Sequence, residues 1–470
     1  SESDAAADPV APPACPASRV LSAQRDPMPL TTTAPATPQA ADLLEECTIA
    51  VLSGKVTADG RPILWKNRDS GYTNNEVAYF DDGRYPYITV INAGDSQNAW
   101  VGVNEPGFAV LNALSYNLLD SVNGGITNGR LMKLALQTCA TVDEFETLLR
   151  QTAGSGRENP ANLAVIDALG GAAIFEVGSH QHRRYDASGP SAVGVAYLVR
   201  ANFSLSADTT GLDTWRFRRA RALVGQVANG RARRADLFRI SRDLCAADCD
   251  PYPLPFNGTP PGFPDAHGYV DTRETIQRVS TVSSGLIQGV RPGEDPRLST
   301  LFVALGQPAV APFVPAWVAG GGTPPELDGP QTAPFCDLAL VRALDCHDYP
   351  GIPRLINTWK LASRTGATRL HLALLRDLEL KAHARVDSLL SSWRVGGALP
   401  ADMAAQEELL SASMYAMYAR YEPDGGGDSS PSIAWRVTPT PMHDQVGILA
   451  APGDPRAAAP EWIEVFDLGG

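Results

Sequence analysis

The sequence predicts an α+β protein in which groups of antiparallel strands are interleaved with helices, on three observations. Aliphatic and β-branched runs of strand length recur, as in "CTIAVLSG", "PYITVINA" and "NLAVIDALGGAAIFEVG". Asp59-Gly60 and Gly170-Gly171 are hairpin signals, and hairpins join antiparallel strands. Stretches with helical apolar spacing fall between groups of strands, not after each one as a regular parallel sheet would require.

Residues 1–46 are rich in Ala, Pro and Thr with no apolar period, so they read as a disordered leader or propeptide. The sequence starts at Ser1, as a processed or engineered chain would. Order is expected from Cys47, where "CTIAVLSG" suits a buried strand. A two-residue turn at Asp59-Gly60 sets Ala58 opposite Arg61 and brings Asp69 back opposite Ala50. "PILWKNRD" is the returning strand, and Pro62 suits its start because it has no N–H to donate. Further strands are expected in "PYITVINA", "WVGVNEPGFAVLNALSY", on both sides of Gly170-Gly171, and in "VGVAYLVRANFS", "TVSSGLIQGV" and "STLFVALGQPAVAP". "GRLMKLALQTCA" and "TVDEFETLLRQ" read as helices, the second opening on Thr141 and Glu144 at capping-box spacing. "DTWRFRRARALVGQVA" is a third, with Asp213 as its N-cap. From about residue 351 the pattern is helical, through "LINTWKLASRTGATRLHLALLRDLELKAHARVDSLLSSW" and "ADMAAQEELLSASMYAMYARY"; "GGGDSSPS" is a flexible break before a last strand in "PEWIEVFDL".

A chain of 470 residues with 44% hydrophobic and 19% charged residues has enough apolar material for a sizeable core. Its net charge of -13 opposes phosphate backbones and anionic membrane surfaces, so nucleic acid is not an expected partner. No apolar stretch reaches the roughly 18 residues a spanning helix needs, so membrane insertion is not expected.

Cys47 opens a buried strand whose hairpin partner carries Lys66, Asn67, Arg68 and Asp69. A thiol is a strong acyl nucleophile even without a dedicated base. Should Cys47 become the first residue of the mature chain, its own α-amine, with a reference pKa of about 7.7–8.0, supplies that base. At these residues the sequence resembles a family. "CTIAVLSGKVTADGRPILWKNRDS" is similar to the mature start of the cysteine N-terminal-nucleophile hydrolases, the group spanning choloylglycine hydrolases, penicillin V acylases, acyl-CoA:6-aminopenicillanate acyltransferase-like proteins and related dipeptidases. "GVNEPGFAVLNALSYN", "NLAVIDALGGAAIFEV", "VRANFS" and "TWRFRRAR" extend the resemblance over about residues 47–310.

The resemblance implies a four-layer αββα sandwich over residues 47–345, with residues 346–470 a mainly helical C-terminal extension. It implies Cys47 as nucleophile and Asp69 as the group holding the α-amine and sulfur. Lys66 stands where the hydrolases have arginine; it keeps the charge and loses the planar fork. Asn202 matches the asparagine donating to the oxyanion, Asn112 is a second such position, and Arg216 matches an arginine near the nucleophile. The resemblance further implies hydrolysis of, or acyl transfer from, a linear small-molecule amide through a thioester, with no cofactor or metal; an oligomer is compatible with it. A dipeptidase of the same superfamily and a secreted non-catalytic binding protein are the alternatives.

Plainer readings stand beside these. Lys66, Arg68 and Asp69 could form a solvated strand end, and Arg216 could lie on a solvated helix face with Arg218, Arg219 and Arg221. The residue before the nucleophile is Glu46, a carboxylate that would repel a nearby thiolate, where the family has a small residue or Met. Cys139 falls on a helix's apolar side; Cys245, Cys249, Cys336 and Cys346 suggest disulfides, hence a periplasmic or secreted protein. His180 and His182 share a strand face that could hold a metal.

Overall fold

The computed structural model describes residues 46–118, 122–189, 196–210, 212, 214–362 and 371–420. The expected leader other than residue 46, the "GGGDSSPS" break, the strand in "PEWIEVFDL" and the Asp213 cap lie outside them. In chain order the strands are β1 (Cys47–Leu52), β2 (Ile63–Asp69), β3 (Asn75–Phe80), β4 (Tyr87–Asn92), β5 (Val101–Asn104), β6 (Ala109–Leu114), β7 (Ala161–Ile166), β8 (Ala172–Val177), β9 (His182–Asp186), β10 (Tyr197–Arg200), β11 (Tyr269–Asp271), β12 (Thr281–Gln288), β13 (Thr300–Leu305), β14 (Val314–Ala316) and β15 (Leu355–Asn357). The helices are α1 (Asn128–Thr138), α2 (Val142–Thr152), α3 (Trp215–Asn229), α4 (Arg234–Ser241), α5 (Pro334–Cys346), α6 (Thr358–Ala362), α7 (His371–Gly396) and α8 (Pro400–Ala419).

Two antiparallel sheets carry the architecture, one in the order β10-β1-β2-β12-β13-β14 and the other running β3 to β9 in sequence order. Side chains alternate across each strand, and the alternation sorts them into layers. Cys47, Ile49 and Val51 of β1 share a core with Ala109, Leu111 and Ala113 of β6, so the sheets pack face to face. Ala50 and Leu52 point the other way, onto Phe217, Leu223 and Val224 of α3 and Leu237 and Phe238 of α4. Leu163 and Val165 of β7 pack on the far side of the second sheet against Leu131 and Leu136 of α1 and Phe145 and Leu149 of α2. Helix, sheet, sheet and helix follow in that order, the αββα sandwich. Of the C-terminal helices, α7 and α8 continue two of these cores through Leu375, Leu378, Met414 and Tyr418 and through Val386, Leu389, Met403 and Leu410.

Local sequence explains the boundaries. Thr141 caps α2 by accepting from the Glu144 N–H at 3.1 Å, while the Glu144 carboxylate accepts from the Ala140 N–H at 2.5 Å. Thr214 stands at the N-cap of α3. Leu355–Asn357, expected to open a helix, instead pairs with Tyr269–Asp271 as a separate two-stranded sheet.

The first hairpin departs from the expected register. Leu52 pairs with Ile63, Ala50 with Trp65 and Cys47 with Arg68, so residues 53–62 form a loop and Asp69 lies beyond Cys47, not opposite Ala50. The loop is held from outside. The Ala58 N–H donates to Ala232 O at 2.9 Å, and the Ala232 N–H returns to Val56 O at 2.8 Å. The Asp59 carboxylate accepts from the Arg61 N–H at 3.1 Å and its guanidinium at 3.0 Å.

Helix α3 is anchored by a buried bidentate pair, with Arg219 Nε and Nη2 donating to Asp243 Oδ2 and Oδ1 at 3.0 and 2.7 Å. Removing one member leaves an uncompensated charge in the interior, which costs about 3–5 kcal/mol. Asp243→Ala is therefore expected to lose about 3–5 kcal/mol in urea unfolding, whereas Arg221→Ala, on the exposed side of α3, is expected to change stability by less than about 0.5 kcal/mol.

Candidate active site

Four of the expected site residues come together at the edge where β1 begins. Pairing of β1 with β2 sets Cys47 opposite Arg68, and the Asp69 N–H donates to the Glu46 carbonyl at 2.7 Å. The Cys47 N–H donates to Asn202 Oδ1 at 2.7 Å. The Glu46–Cys47 peptide is thus gripped at both ends, its oxygen by a backbone donor and its nitrogen by a side-chain acceptor. Asn202 is positioned in turn by the second sheet: Asn162 Nδ2 donates to the carbonyls of Ala201 and Phe203, each at 3.1 Å. The Asn202 amide nitrogen donates to Leu114 O at 3.2 Å.

Arg216 ties the set together. Its Nη1 donates to Asp69 Oδ2 at 2.9 Å and its Nη2 to Asn202 Oδ1 at 3.0 Å, and Nη2 lies 3.4 Å from Glu46 Oε2. Helical geometry makes this arginine differ from its neighbours: Arg216 and Arg219, three residues apart, turn inward, while Arg218 and Arg221 face solvent. Asp69 is fully buried, and its other oxygen accepts from Thr281 Oγ1 at 2.6 Å. Burial pushes its carboxyl up to about 6, against the opposing pull of Arg216, Thr281 and Lys66. A solvated strand end is excluded, since Lys66, Arg68 and Asp69 are all buried.

Lys66 and Asn112 meet each other. Lys66 Nζ reaches from β2 to the second sheet, donating to Asn112 Oδ1 at 2.5 Å and Trp100 O at 3.2 Å, and Asn112 Nδ2 donates to Asn128 Oδ1 at 2.8 Å.

Sequence reasoning missed Arg278 and Thr281. Arg278 pairs with the Glu46 carboxylate and lies 3.9 Å from Asp69 Oδ2. Thr281 is the cross-strand partner of Asp69 because β12 lies beside β2. Neither sits in a motif; only the sheet order, which hydrophobic patterning cannot give, brings them to the site. The pairing also answers the objection to Glu46, whose charge is matched by two arginines. A pocket of about 230 Å³ opens beside this junction, lined by Glu46, Arg216, Arg273, Glu274 and Arg278.

Among the described residues the other free cysteines are poor nucleophiles. Burial pushes the thiols of Cys139, Cys249 and Cys336 up to about 11 and raises Cys346 further. Cys245 is disulfide-bonded, whereas Cys249, Cys336 and Cys346 are not, so no bridge joins any two of the four expected candidates. His180 Nδ1 lies 2.7 Å from Ala153 O, and His182 Nε2 lies 3.4 Å from Glu146 Oε1. Asp345, Cys346 and His371 bring potential metal-ligand atoms within 4.8 Å of one another, although Lys360 already donates to Asp345 Oδ1 at 2.7 Å. Among the described residues, no helix is long and apolar enough to cross a membrane.

No protein-family model matches the sequence, and no curated protein matches it. Solved structures to which the chain is similar include N-terminal-nucleophile hydrolases, and the likeness is structural and partial. They include penicillin V acylase from Agrobacterium tumefaciens, 16% identical, covering 58% of this chain and 85% of that one with a TM-score of 0.35. A variant of conjugated bile acid hydrolase from Clostridium perfringens is 11% identical over 55% of this chain and 89% of its own, at a TM-score of 0.33. The Caenorhabditis elegans ortholog of N-acylethanolamine-hydrolyzing acid amidase is 15% identical over 51% and 92%, also at 0.33.

Proposed function

We propose that the protein is the precursor of a cysteine amidohydrolase, activated by cleavage of its own Glu46–Cys47 peptide and acting on small linear amides. The observation that carries this reading is the double grip on that peptide: the Asp69 N–H on its oxygen and Asn202 Oδ1 on its nitrogen, each at 2.7 Å. A donor already resting on the carbonyl oxygen strengthens as negative charge develops there, which is how an oxyanion is stabilised. In maturation Cys47 Sγ bonds to the Glu46 carbonyl carbon, the C–N bond breaks, and the thiol proton passes to the nitrogen that becomes the α-amine. Water then cleaves the thioester, releasing the Glu46 carboxylate and restoring the thiol. The freed amine, held by Asn202 and close to Asp69 and Arg216, becomes the base for the next acyl transfer. An acceptor amine in place of water gives acyl transfer with the same residues.

Lys66 and Asn112 support the second sheet's side of the site as a buried cationic brace, while Asn202 holds the nitrogen through Oδ1 and is itself fixed by donating from Nδ2 to Leu114 O. Export to an oxidising compartment accords with the bonded Cys245. Intact mass and N-terminal sequencing of the purified full chain test the proposal. A protein beginning at Cys47 that is labelled there by iodoacetamide and releases amine from simple N-acyl amides is the expected result. A chain that keeps Glu46 under all conditions and resists labelling would return the fold to the binding-protein reading.

A further inference from the structure

The core-facing side of β7 and β8 is apolar except at one end. Ala164, Ile166, Ala172 and Ile174 fill the space between the sheets, and the same alternation continues to Asn162 and Glu176, which are cross-strand partners. Both are buried. A carboxylate in an apolar interior is costly unless donors surround it, and Glu176 collects most of its donors from one short segment. Its oxygens accept from Arg200 Nε at 2.7 Å and from the Leu205 and Ser206 N–H groups, each at 2.8 Å. Tyr185 OH adds a fourth contact at 3.3 Å. Asn162, besides donating to the Ala201 and Phe203 carbonyls, accepts from Ser204 Oγ at 2.9 Å. The turn from Arg200 to Ser206 is thus held on both sides of Asn202. Burial alone would raise the Glu176 carboxyl, yet Arg200 and the Ser206 and Leu205 donors hold it below its ordinary value, so the clamp keeps its charge.

Asn202 is fixed by both sheets at once. β10, which ends at Arg200, pairs with β1 and sets Arg200 opposite Ile49, whereas Asn162 and Glu176 belong to the second sheet. The reach of Asn202 Oδ1 to the Cys47 nitrogen, 2.7 Å, therefore depends on how this turn is fastened across the gap. That demand grows once the chain is cut. In the precursor the peptide bond to Glu46 also constrains the nitrogen; in the mature enzyme it is a free amine with that covalent neighbour gone. Resting on the amidohydrolase reading above, we infer that Glu176 is a positioning residue that acts through Asn202, setting the place of the Cys47 nitrogen before cleavage and of the α-amine base after it. Glu176 itself meets no reacting atom. A misplacement of about 1 Å caused from such a remove can cost about 10²-fold in rate.

The test uses the full-length protein and intact mass over time. Glu176→Gln, which keeps the size of the side chain and removes its charge, is expected to slow Glu46–Cys47 cleavage about 10- to 10²-fold. Glu379→Gln is the matched control: Glu379, on α7, is also buried and accepts from Arg242 at 3.0 and 2.6 Å and from the Phe313 N–H at 2.9 Å. It should lose comparable stability and still cleave at the wild-type rate. In an Asn202→Ala background, Glu176→Gln should add no further slowing, because residues that act through one another are not additive. If Glu176→Gln folds poorly, Arg200→Lys, which keeps the charge and loses the guanidinium, enters the same comparison with slowing of the same sense expected. A wild-type rate in Glu176→Gln, equal slowing in the two glutamine variants, or full additivity with Asn202→Ala overturns the inference. A wild-type chain that never cleaves sinks the amidohydrolase reading instead. The clamp is then read from solvent exchange of the Cys47 N–H in cysteine-selective nitrogen-15 spectra, where faster exchange in Glu176→Gln upholds it and unchanged exchange overturns it.

Discussion

Cys47→Ala is expected to leave the Glu46–Cys47 peptide intact and to lower the kcat for amide hydrolysis by about 10⁴-fold or more, since the nucleophile and the freed α-amine are lost together. No other thiol in the described residues can take over: burial holds Cys139, Cys249 and Cys336 near 11, far above the pH at which a thiolate would be present. The side chain removed is small and 4% exposed between the two sheets, so its deletion should shift the melting temperature by only a few degrees. Loss of function therefore cannot be ascribed to unfolding. Cys47→Ser keeps the geometry with a weaker nucleophile, so slow cleavage should persist there while the alanine variant shows none. Intact mass over time and amine release from simple N-acyl amides measure both effects. An alanine variant that still begins at residue 47 would assign maturation to another protease, and one that still hydrolyses amides would remove Cys47 from the mechanism.

The two halves of the site were legible to different degrees, for physical reasons. Strand alternation and a turn signal were enough to bring Cys47 and Asp69 near each other, because a hairpin is local. They did not give the register, since the turn is set by Ala232, which lies far along the chain and pins Val56 and Ala58. Arg216 was visible only through family resemblance; the inward turn that separates it from Arg218 follows from where α3 packs. Arg278 and Thr281 carry no local signal, because their place depends on β12 inserting between β13 and the distant β2. Helix α5 went unpredicted for a related reason: "PFCDLALVRALDC" has a weak amphipathic pattern because it contributes to more than one core, with Phe335 and Cys336 in one and Ala339 in another. Glu46 was read as an obstacle while its partners were unknown, and with Arg216 and Arg278 in place its charge is matched.

The pH dependence of maturation should follow from Asp69. Its carboxyl is pushed from an ordinary 3.8 up to about 6, first by burial, with Arg216, Thr281 and Lys66 pulling the other way. A carboxyl with a raised folded pKa costs stability when ionised. Below about pH 4 it is protonated in folded and unfolded chains alike and contributes nothing; between about 4 and 6 stability falls as pH rises, and above that the loss is constant at about 3 kcal/mol. The ionised form is nonetheless the one that draws Arg216 onto Asn202 and the scissile peptide, so function pulls against stability. The first-order rate of Glu46–Cys47 cleavage is expected to rise with pH through about 6 and then level off, up to the range where the thiol itself ionises. Asp69→Asn is expected to abolish that step and to slow cleavage about 10²- to 10³-fold above pH 6, because a neutral amide cannot hold the guanidinium as the carboxylate does, the difference narrowing at lower pH as the wild-type carboxyl is itself neutralised. The variant should also lose the stability slope between pH 4 and 6 expected of wild type in urea titrations, a change that a purely catalytic role for the group would not produce. A wild-type cleavage rate that is level from pH 5 to 7.5 would show that Arg216 is fixed without the charge on Asp69, and the alignment of the scissile peptide would then rest on Asn202 and the β1–β2 ladder alone.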